Sequence, residues 1–149
     1  MVIDVRPRQS SAMKAQKQPV KTRITVFHCV NALSKLDLPE YEDCEIKSIK
    51  LPCSSMSREI TFLKAFEAGA DAAVVLTCPE GSCHYLQGNL RVARRVARVK
   101  KLLDEIGLDG HRLNIFHIPH NDQQAVNFII DQIVYGLTKL GPNPARLQN

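Results

Sequence analysis

Short, uninterrupted apolar segments alternate with amphipathic ones along this chain, and this alternation is the feature that most constrains its fold. Residues 23–30 (RITVFHCV) and 71–78 (DAAVVLTC) are rich in β-branched and other apolar residues, as in strands that are buried on both faces. Residues 44–53 and 112–118 form two further predicted strands. Strands buried on both faces occur mainly in parallel sheets that helices cover.

Three segments have the apolar spacing of amphipathic helices, at residues 57–70, 86–107 and 122–141. In the second and longest, the apolar residues recur at alternating steps of four and three: Val92, Val96, Val99, Leu103 and Ile106. Strands that alternate with helices predict an α/β fold. The expected architecture is a flavodoxin-like open parallel sheet with helices on both faces. Residues 31–43, between the first two strands, are too few and too broken for a long helix.

The chain has 149 residues, which is enough for one domain with a substantial core. Residues 1–21 are polar and basic without periodicity, and they are predicted to be a flexible arm. Residues 22–141 form the single predicted α/β domain, and residues 142–149 are predicted to be a C-terminal tail.

The composition limits the compartment and the kinds of partner. No apolar run approaches the roughly 20 residues that a membrane-spanning helix needs, and the first residues lack the apolar core of a secretory signal. We therefore expect a cytoplasmic protein without membrane insertion, in a compartment where thiols stay reduced. The formal net charge of +5 suits an acidic partner surface, a nucleic acid or an anionic cofactor.

The cysteines are placed where a site would form. The chain has five, and an odd number in a reducing compartment argues against a disulfide framework. Cys29, Cys53 and Cys78 fall at or just after the ends of three predicted strands, and Cys83 lies in the following loop. Parallel strands bring their carboxyl ends to one edge of a sheet, where ligands bind. Four thiolates that meet there would suit zinc or an iron–sulfur cluster, whereas a single free cysteine is usually a small buried apolar group.

The stretch CPEGSCHYLQGN, followed by ARRVARVKKLLDEIG, resembles the iron–sulfur delta subunit of methyl-viologen-reducing hydrogenase. The likeness covers about residues 23–140. It implies a flavodoxin-like fold with a [2Fe–2S] cluster, in a subunit that itself converts no substrate. Such a subunit relays electrons to the flavin-containing subunit of heterodisulfide reductase or of related, sometimes electron-bifurcating, oxidoreductase complexes. By this resemblance Cys29, Cys53, Cys78 and Cys83 match family cysteines and are the predicted cluster ligands.

One position departs from the family pattern. Ala32 stands where the family usually has a further cysteine after the first strand. Three explanations follow: the missing cysteine was never a ligand, Cys44 or a histidine replaces it, or the cluster has been lost. Because Cys44 begins a strand at the opposite edge from the other four, we expect it to be a packing or surface thiol.

Histidines and arginines lie near the predicted site. His28 and His84 each neighbour a predicted ligand, either as ligands themselves or as hydrogen-bond donors. His117 and His120 end the fourth strand on the same edge. Four arginines recur at helical steps in the second predicted helix: Arg91, Arg94, Arg95 and Arg98. They could form a solvated face, supply positive charges that favour a reduced cluster, or form a docking surface for an acidic subunit.

Two other functions compete with electron transfer. A zinc-clamped or metal-free adaptor subunit would also explain clustered thiols and a basic helix. A basic nucleic-acid-binding protein would explain the charge, but the chain has no aromatic residues among its basic ones and no recognised nucleic-acid-binding module. We therefore expect other oxidoreductase subunits as partners, and not nucleic acid.

Overall fold

The computed structural model describes residues 21–83 and 87–148, and it contains one sheet of four parallel strands. The strands are β1 (Thr22–Cys29), β2 (Cys44–Leu51), β3 (Ala72–Thr77) and β4 (Leu113–His117). Their order across the sheet is β2-β1-β3-β4, which matches the first four strands of the flavodoxin-like order. The predicted open α/β sheet is therefore confirmed. Most of the predicted arm at residues 1–21, and His84, lie outside the described residues.

Helices cover both faces of the sheet, as predicted. They are α1 (Glu59–Glu67), α2 (Gly88–Glu105) and α3 (Gln123–Leu140). Helices α1 and α2 pack on one face with Phe27 and Val75, and α3 packs on the other with Val26 and Val74. The predicted stripe of α2 is buried except for Ile106, which lies one residue past the end of the helix and is 62% exposed. None of these three helices is long and apolar enough to cross a membrane.

The connection between β1 and β2 contains no helix, in agreement with the sequence. Leu33 is nevertheless fully buried, and Leu36 packs on the same side of the sheet as α3. The Tyr41 hydroxyl donates a hydrogen bond to the Asp131 carboxylate on α3. This loop therefore covers the part of the sheet that a helix would cover in a longer connection.

A buried polar cluster closes the end of the sheet where the strands begin. The Asp71 carboxylate accepts hydrogen bonds from the backbone N–H groups of Arg23 (2.8 Å) and Asn143 (2.7 Å), and from the Arg146 guanidinium (2.6 Å). The buried Arg112 guanidinium donates to five backbone carbonyls: those of Asp71, Leu108, Leu140, Gly141 and Pro142. Through these bonds the first part of the predicted C-terminal tail is attached to the sheet.

Candidate metal centre

The other end of the sheet gathers thiols from three strands. Cys29 is the last residue of β1, Cys78 directly follows β3, and Cys53 lies two residues beyond β2. All three side chains are at least 96% buried. The sulfur atoms of Cys29 and Cys78 are 3.9 Å apart, which makes them the first of two close pairs.

Cys53 and Cys83 form the second pair, at the start of α2. A Cβ atom at Gly88 would lie 2.6 Å from the Cys53 sulfur and 3.2 Å from the Cys83 sulfur. The two sulfurs therefore approach the same point on the helix backbone. Only glycine fits at position 88, because any side chain would overlap the Cys53 sulfur. Cys83 is partly exposed, whereas Cys53 is buried.

The other three thiols act electrostatically on Cys78. The pKa of the Cys78 thiol is raised to about 12, mainly by burial and next by the charge of Cys29 and its hydrogen bond. The charges of Cys83 and Cys53 raise it further. Because metals bind thiolates, a metal that enters this site must displace protons.

Two approaches bring the thiols together, that of Cys29 to Cys78 and that of Cys53 and Cys83 to Gly88. Among residues 21–83 and 87–148, no three His, Cys, Asp or Glu side chains lie close enough together to hold one metal ion. A tetrahedral zinc ion needs four donors at about 2.3 Å from one point when all are sulfur. Four soft sulfur donors at this end of the sheet would fit an iron–sulfur cluster.

Side chains from α2 and β4 support the loop between Cys78 and Cys83. The Asn89 amide donates hydrogen bonds to the backbone carbonyls of Cys78 (3.2 Å) and Pro79 (2.9 Å). The His117 ring, through Nδ1, donates to the same Cys78 carbonyl at 3.0 Å. His117 thus holds the backbone of a predicted ligand and does not add a donor atom to the thiols.

The turn that follows Cys53 is attached to α2. The Arg95 guanidinium donates to the backbone carbonyls of Ser55 and Ser57, the latter at 2.7 Å. The Ser55 hydroxyl lies 3.1 Å from the Cys53 sulfur. At the start of the same turn, the hydroxyls of Ser54 and Thr77 are 2.8 Å apart, which joins the turn to β3.

The structure separates the remaining cysteine from this site. Cys44 is the first residue of β2 and pairs with Thr22, the first residue of β1. Because an eight-residue strand rises about 3.3 Å per residue, Cys44 lies roughly 20 Å from the thiols. It is buried, so the expected packing role fits and it cannot replace a ligand. Ala32, at the departing position, is fully buried in the same apolar cluster as Cys29 and Cys78.

The surroundings of His28 and His120 can be described as well, whereas His84 lies outside the described residues. His28 directly precedes Cys29 on β1 and is buried, and its Nδ1 has no hydrogen-bond partner among the described residues. Burial and the nearby Lys50 charge lower the pKa of His28. The His120 ring donates from Nδ1 to the Asn31 carbonyl at 2.8 Å.

The four arginines of α2 fall into two groups. Arg95 is bound to the turn after Cys53, and Arg98 forms an ion pair with Glu59 at 2.7 Å. Arg91 and Arg94 are exposed, with no ion-pair partner among the described residues. Of the four arginines, Arg91 and Arg94 therefore fit the predicted solvated face, whereas Arg95 and Arg98 bind other parts of the protein.

Comparison with known proteins identifies the family. The model of the family "methyl-viologen-reducing hydrogenase, delta subunit" matches residues 24–141, a span that contains all five cysteines. The chain belongs to this family. The vhu iron-sulfur subunit of the F420-non-reducing hydrogenase from Methanocaldococcus jannaschii is 36% identical over 104 residues, which is 69% of this chain and 77% of that protein.

Two further proteins that are similar to this chain differ in length. The iron-sulfur subunit of the F420-non-reducing hydrogenase from Archaeoglobus profundus is 30% identical over 97 residues, or 65% of this chain and 71% of that protein. A chain of the ferredoxin:CoB-CoM heterodisulfide reductase from Methanosarcina mazei is 31% identical over 103 residues, or 69% of this chain but only 13% of that protein. In the second protein the matched segment is thus a small part of a much longer chain.

Sequence reasoning had not assigned roles to Gly88, Asn89 and Ser55. The Gly-Asn pair contributed to the family resemblance, but its structural role is visible only in the fold. Gly88 leaves room for the sulfurs of Cys53 and Cys83, and Asn89 donates a hydrogen bond to the loop that begins at Cys78. Ser55 lies two residues after Cys53, and this proximity was the only signal in the sequence.

Gly88→Ala is expected to distort the second thiol pair, because the new methyl group would overlap the Cys53 sulfur. Overpacking of this kind costs about 1–3 kcal/mol, which denaturant unfolding measures. We also expect less bound iron. Gly136→Ala in α3 is the matched control, since nothing lies within 4 Å of its Cβ position. This control should stabilise the fold by about 0.5–1 kcal/mol and leave iron content unchanged. Normal iron content in Gly88→Ala would contradict the assigned role.

Proposed function

We propose that this protein is an electron-transfer subunit that holds one [2Fe–2S] cluster on Cys29, Cys53, Cys78 and Cys83. The observation that carries the proposal is the meeting of four thiols in two pairs at the carboxyl end of the sheet. Such a cluster, when bound, supplies a centre that takes up and releases single electrons. We assign it to one α/β domain, residues 22–141.

The protein's own residues would prepare this site in three ways. Burial of Cys29, Cys53 and Cys78 would keep water away from the ligands. Asn89 and His117 would hold the Cys78 loop in a position to bind. The start of α2 would place the positive end of the helix dipole beside two thiolates.

The relatives support a role within a larger complex. Their names describe iron–sulfur subunits of hydrogenases and one of the subunits of heterodisulfide reductase. We propose that this chain relays electrons between a donor subunit and a flavin-containing, heterodisulfide-reductase-A-like partner, in an oxidoreductase complex of the kind that can bifurcate electrons. The M. mazei relative supports this partner, because there a similar domain lies in the same chain as the rest of that reductase subunit.

We propose a cytoplasmic location on chemical grounds. The chain has five cysteines, an odd number that argues against a disulfide framework, and thiols persist where glutathione or thioredoxin keeps them reduced.

Anaerobic purification tests the proposed cofactor. The expected product is a brown protein with about two iron atoms and about two inorganic sulfides per chain. Reduction should give the electron paramagnetic resonance signal of one unpaired electron per cluster. A colourless protein with stoichiometric zinc would reject the proposal in favour of a zinc-clamped adaptor, and a protein without any metal would favour a metal-free one.

A further inference from the structure

The two thiol pairs have unlike surroundings. Cys29 and Cys78 lie in an apolar cluster with Leu76 and Ile118, and the described residues give each of these sulfurs only the other as a hydrogen-bonding neighbour. The sulfurs of Cys53 and Cys83 lie instead beside a hydroxyl group and a helix terminus. Polar donors are therefore concentrated on one side of the site.

The hydroxyl belongs to Ser55, whose oxygen is 3.1 Å from the Cys53 sulfur. When Cys53 is a thiol, either group can donate the hydrogen. A metal-bound thiolate carries no proton, so in the loaded protein only Ser55 can donate. No other partner of this hydroxyl occurs among the described residues.

Arg95 binds the backbone of the turn that carries this hydroxyl. Its guanidinium binds the carbonyl of Ser55 itself and that of Ser57, and so it attaches the turn to α2 on both sides of Met56. Arg95 and Gly88 are seven residues apart and therefore lie on the same face of the helix. A Cβ atom at Gly88 would contact the Ser55 Cβ at 3.4 Å, so the turn packs closely against this face.

The start of α2 adds further donors on the same side. The backbone N–H groups of a first helical turn have no acceptor within the helix, and they carry the positive end of its dipole. Among the described residues, the first backbone hydrogen bond of α2 is from the Arg91 N–H to the Gln87 carbonyl, three residues after Gly88. The missing side chain of Gly88 brings this terminus within contact of Cys53 and Cys83.

We propose that Ser55 raises the reduction potential of the centre by donating a hydrogen bond to Cys53, and that Arg95 is the positioning residue that holds Ser55 in place. This inference rests on the proposed function. One electron from a one-electron donor converts one ferric ion to ferrous, and no bond breaks and no proton is taken up. Hydrogen-bond donors to the ligand sulfur stabilise the added negative charge. They therefore lower the free energy of the reduced state more than that of the oxidised state, which raises the reduction potential.

Ser55→Ala tests the inference in the anaerobically purified, cluster-containing protein. A redox titration followed by visible and electron paramagnetic resonance spectra should show a lower potential, by about 59 mV if the equilibrium constant changes tenfold for one electron. Ser55→Thr keeps a hydroxyl and should retain most of the original potential.

Ser57→Ala is the matched control. Ser57 lies in the same turn and is buried, but its hydroxyl has no hydrogen-bond partner among the described residues. This variant should keep the original potential. Pulsed resonance of the reduced protein in H2O and D2O adds a second measurement, since Ser55→Ala should lose one exchangeable-proton coupling that Ser57→Ala retains.

A double-mutant cycle tests the role of Arg95. Arg95→Gln should lower the potential, whereas Arg94→Gln, which removes an exposed charge from the same helix, should lower it less. If Arg95 acts through the hydroxyl, Arg95→Gln should change the potential less in the Ser55→Ala background than in the natural protein. Full additivity of the two shifts would overturn the positioning role.

The outcomes separate this inference from the proposed function. A normal cluster whose potential is the same in Ser55→Ala overturns the inference alone. Equal shifts in Ser55→Ala and Ser57→Ala overturn it as well, since they would reflect a loosened turn. A natural protein that takes up no iron and sulfide overturns both proposals.

Discussion

Cys78→Ser is expected to leave the protein with almost no bound iron after anaerobic purification. The Cys78 sulfur is 3.9 Å from that of Cys29, and the charges of Cys53 and Cys83 also act on it. Changes to residues that merely support a metal ligand already cost about 10–100-fold in affinity, so the loss of a direct ligand should cost more. Iron analysis and the visible spectrum measure the loss.

Cys44→Ser is the control for this prediction. Cys44 is also a buried cysteine, but it lies at the other end of β2 from the thiols. The visible spectrum of this variant should match that of the natural protein. A bleached Cys44→Ser protein would show that the four assigned ligands are wrong.

Asp71→Ala is expected to have the largest effect on stability. Asp71 is 1% exposed, and its carboxylate binds the Arg146 guanidinium and two backbone N–H groups. Removing one partner of a buried ion pair costs about 3–5 kcal/mol, because the remaining charge is left without compensation. Since a typical domain is stable by about 5–15 kcal/mol, the denaturation midpoint should fall markedly.

Asp37→Ala is the matched control for the stability measurement. The Asp37 and Lys35 side chains form an ion pair in which they are 68% and 83% exposed, so its loss should cost less than about 1 kcal/mol. If Asp71→Ala does not fold, Asp71→Asn can replace it, because this variant keeps the shape of the side chain and removes its charge. The denaturation midpoint of Asp71→Asn should lie below that of Asp37→Ala and above that expected for Asp71→Ala. Equal midpoints for Asp71→Asn and the natural protein would contradict a stabilising role of the ion pair.

Much of the fold could be predicted because its signals are local. The uninterrupted apolar run that ends at Thr77 and the four-three stripe of α2 each indicate one element from neighbouring residues. Ile106 departs from the stripe because the helix has already ended. The buried cluster around Asp71 and Arg112 was not predicted, since its partners are separated by up to 75 residues.

The sequence by itself determined the class of fold, the place of Cys29, Cys53 and Cys78 at strand ends, and the family. Only the tertiary structure decided which thiols form pairs and which residues support them. The physical reason is that periodicity defines an element and its ends, whereas pairing depends on how strands are ordered and how closely α2 approaches the sheet. That approach depends on a single absent side chain, at Gly88.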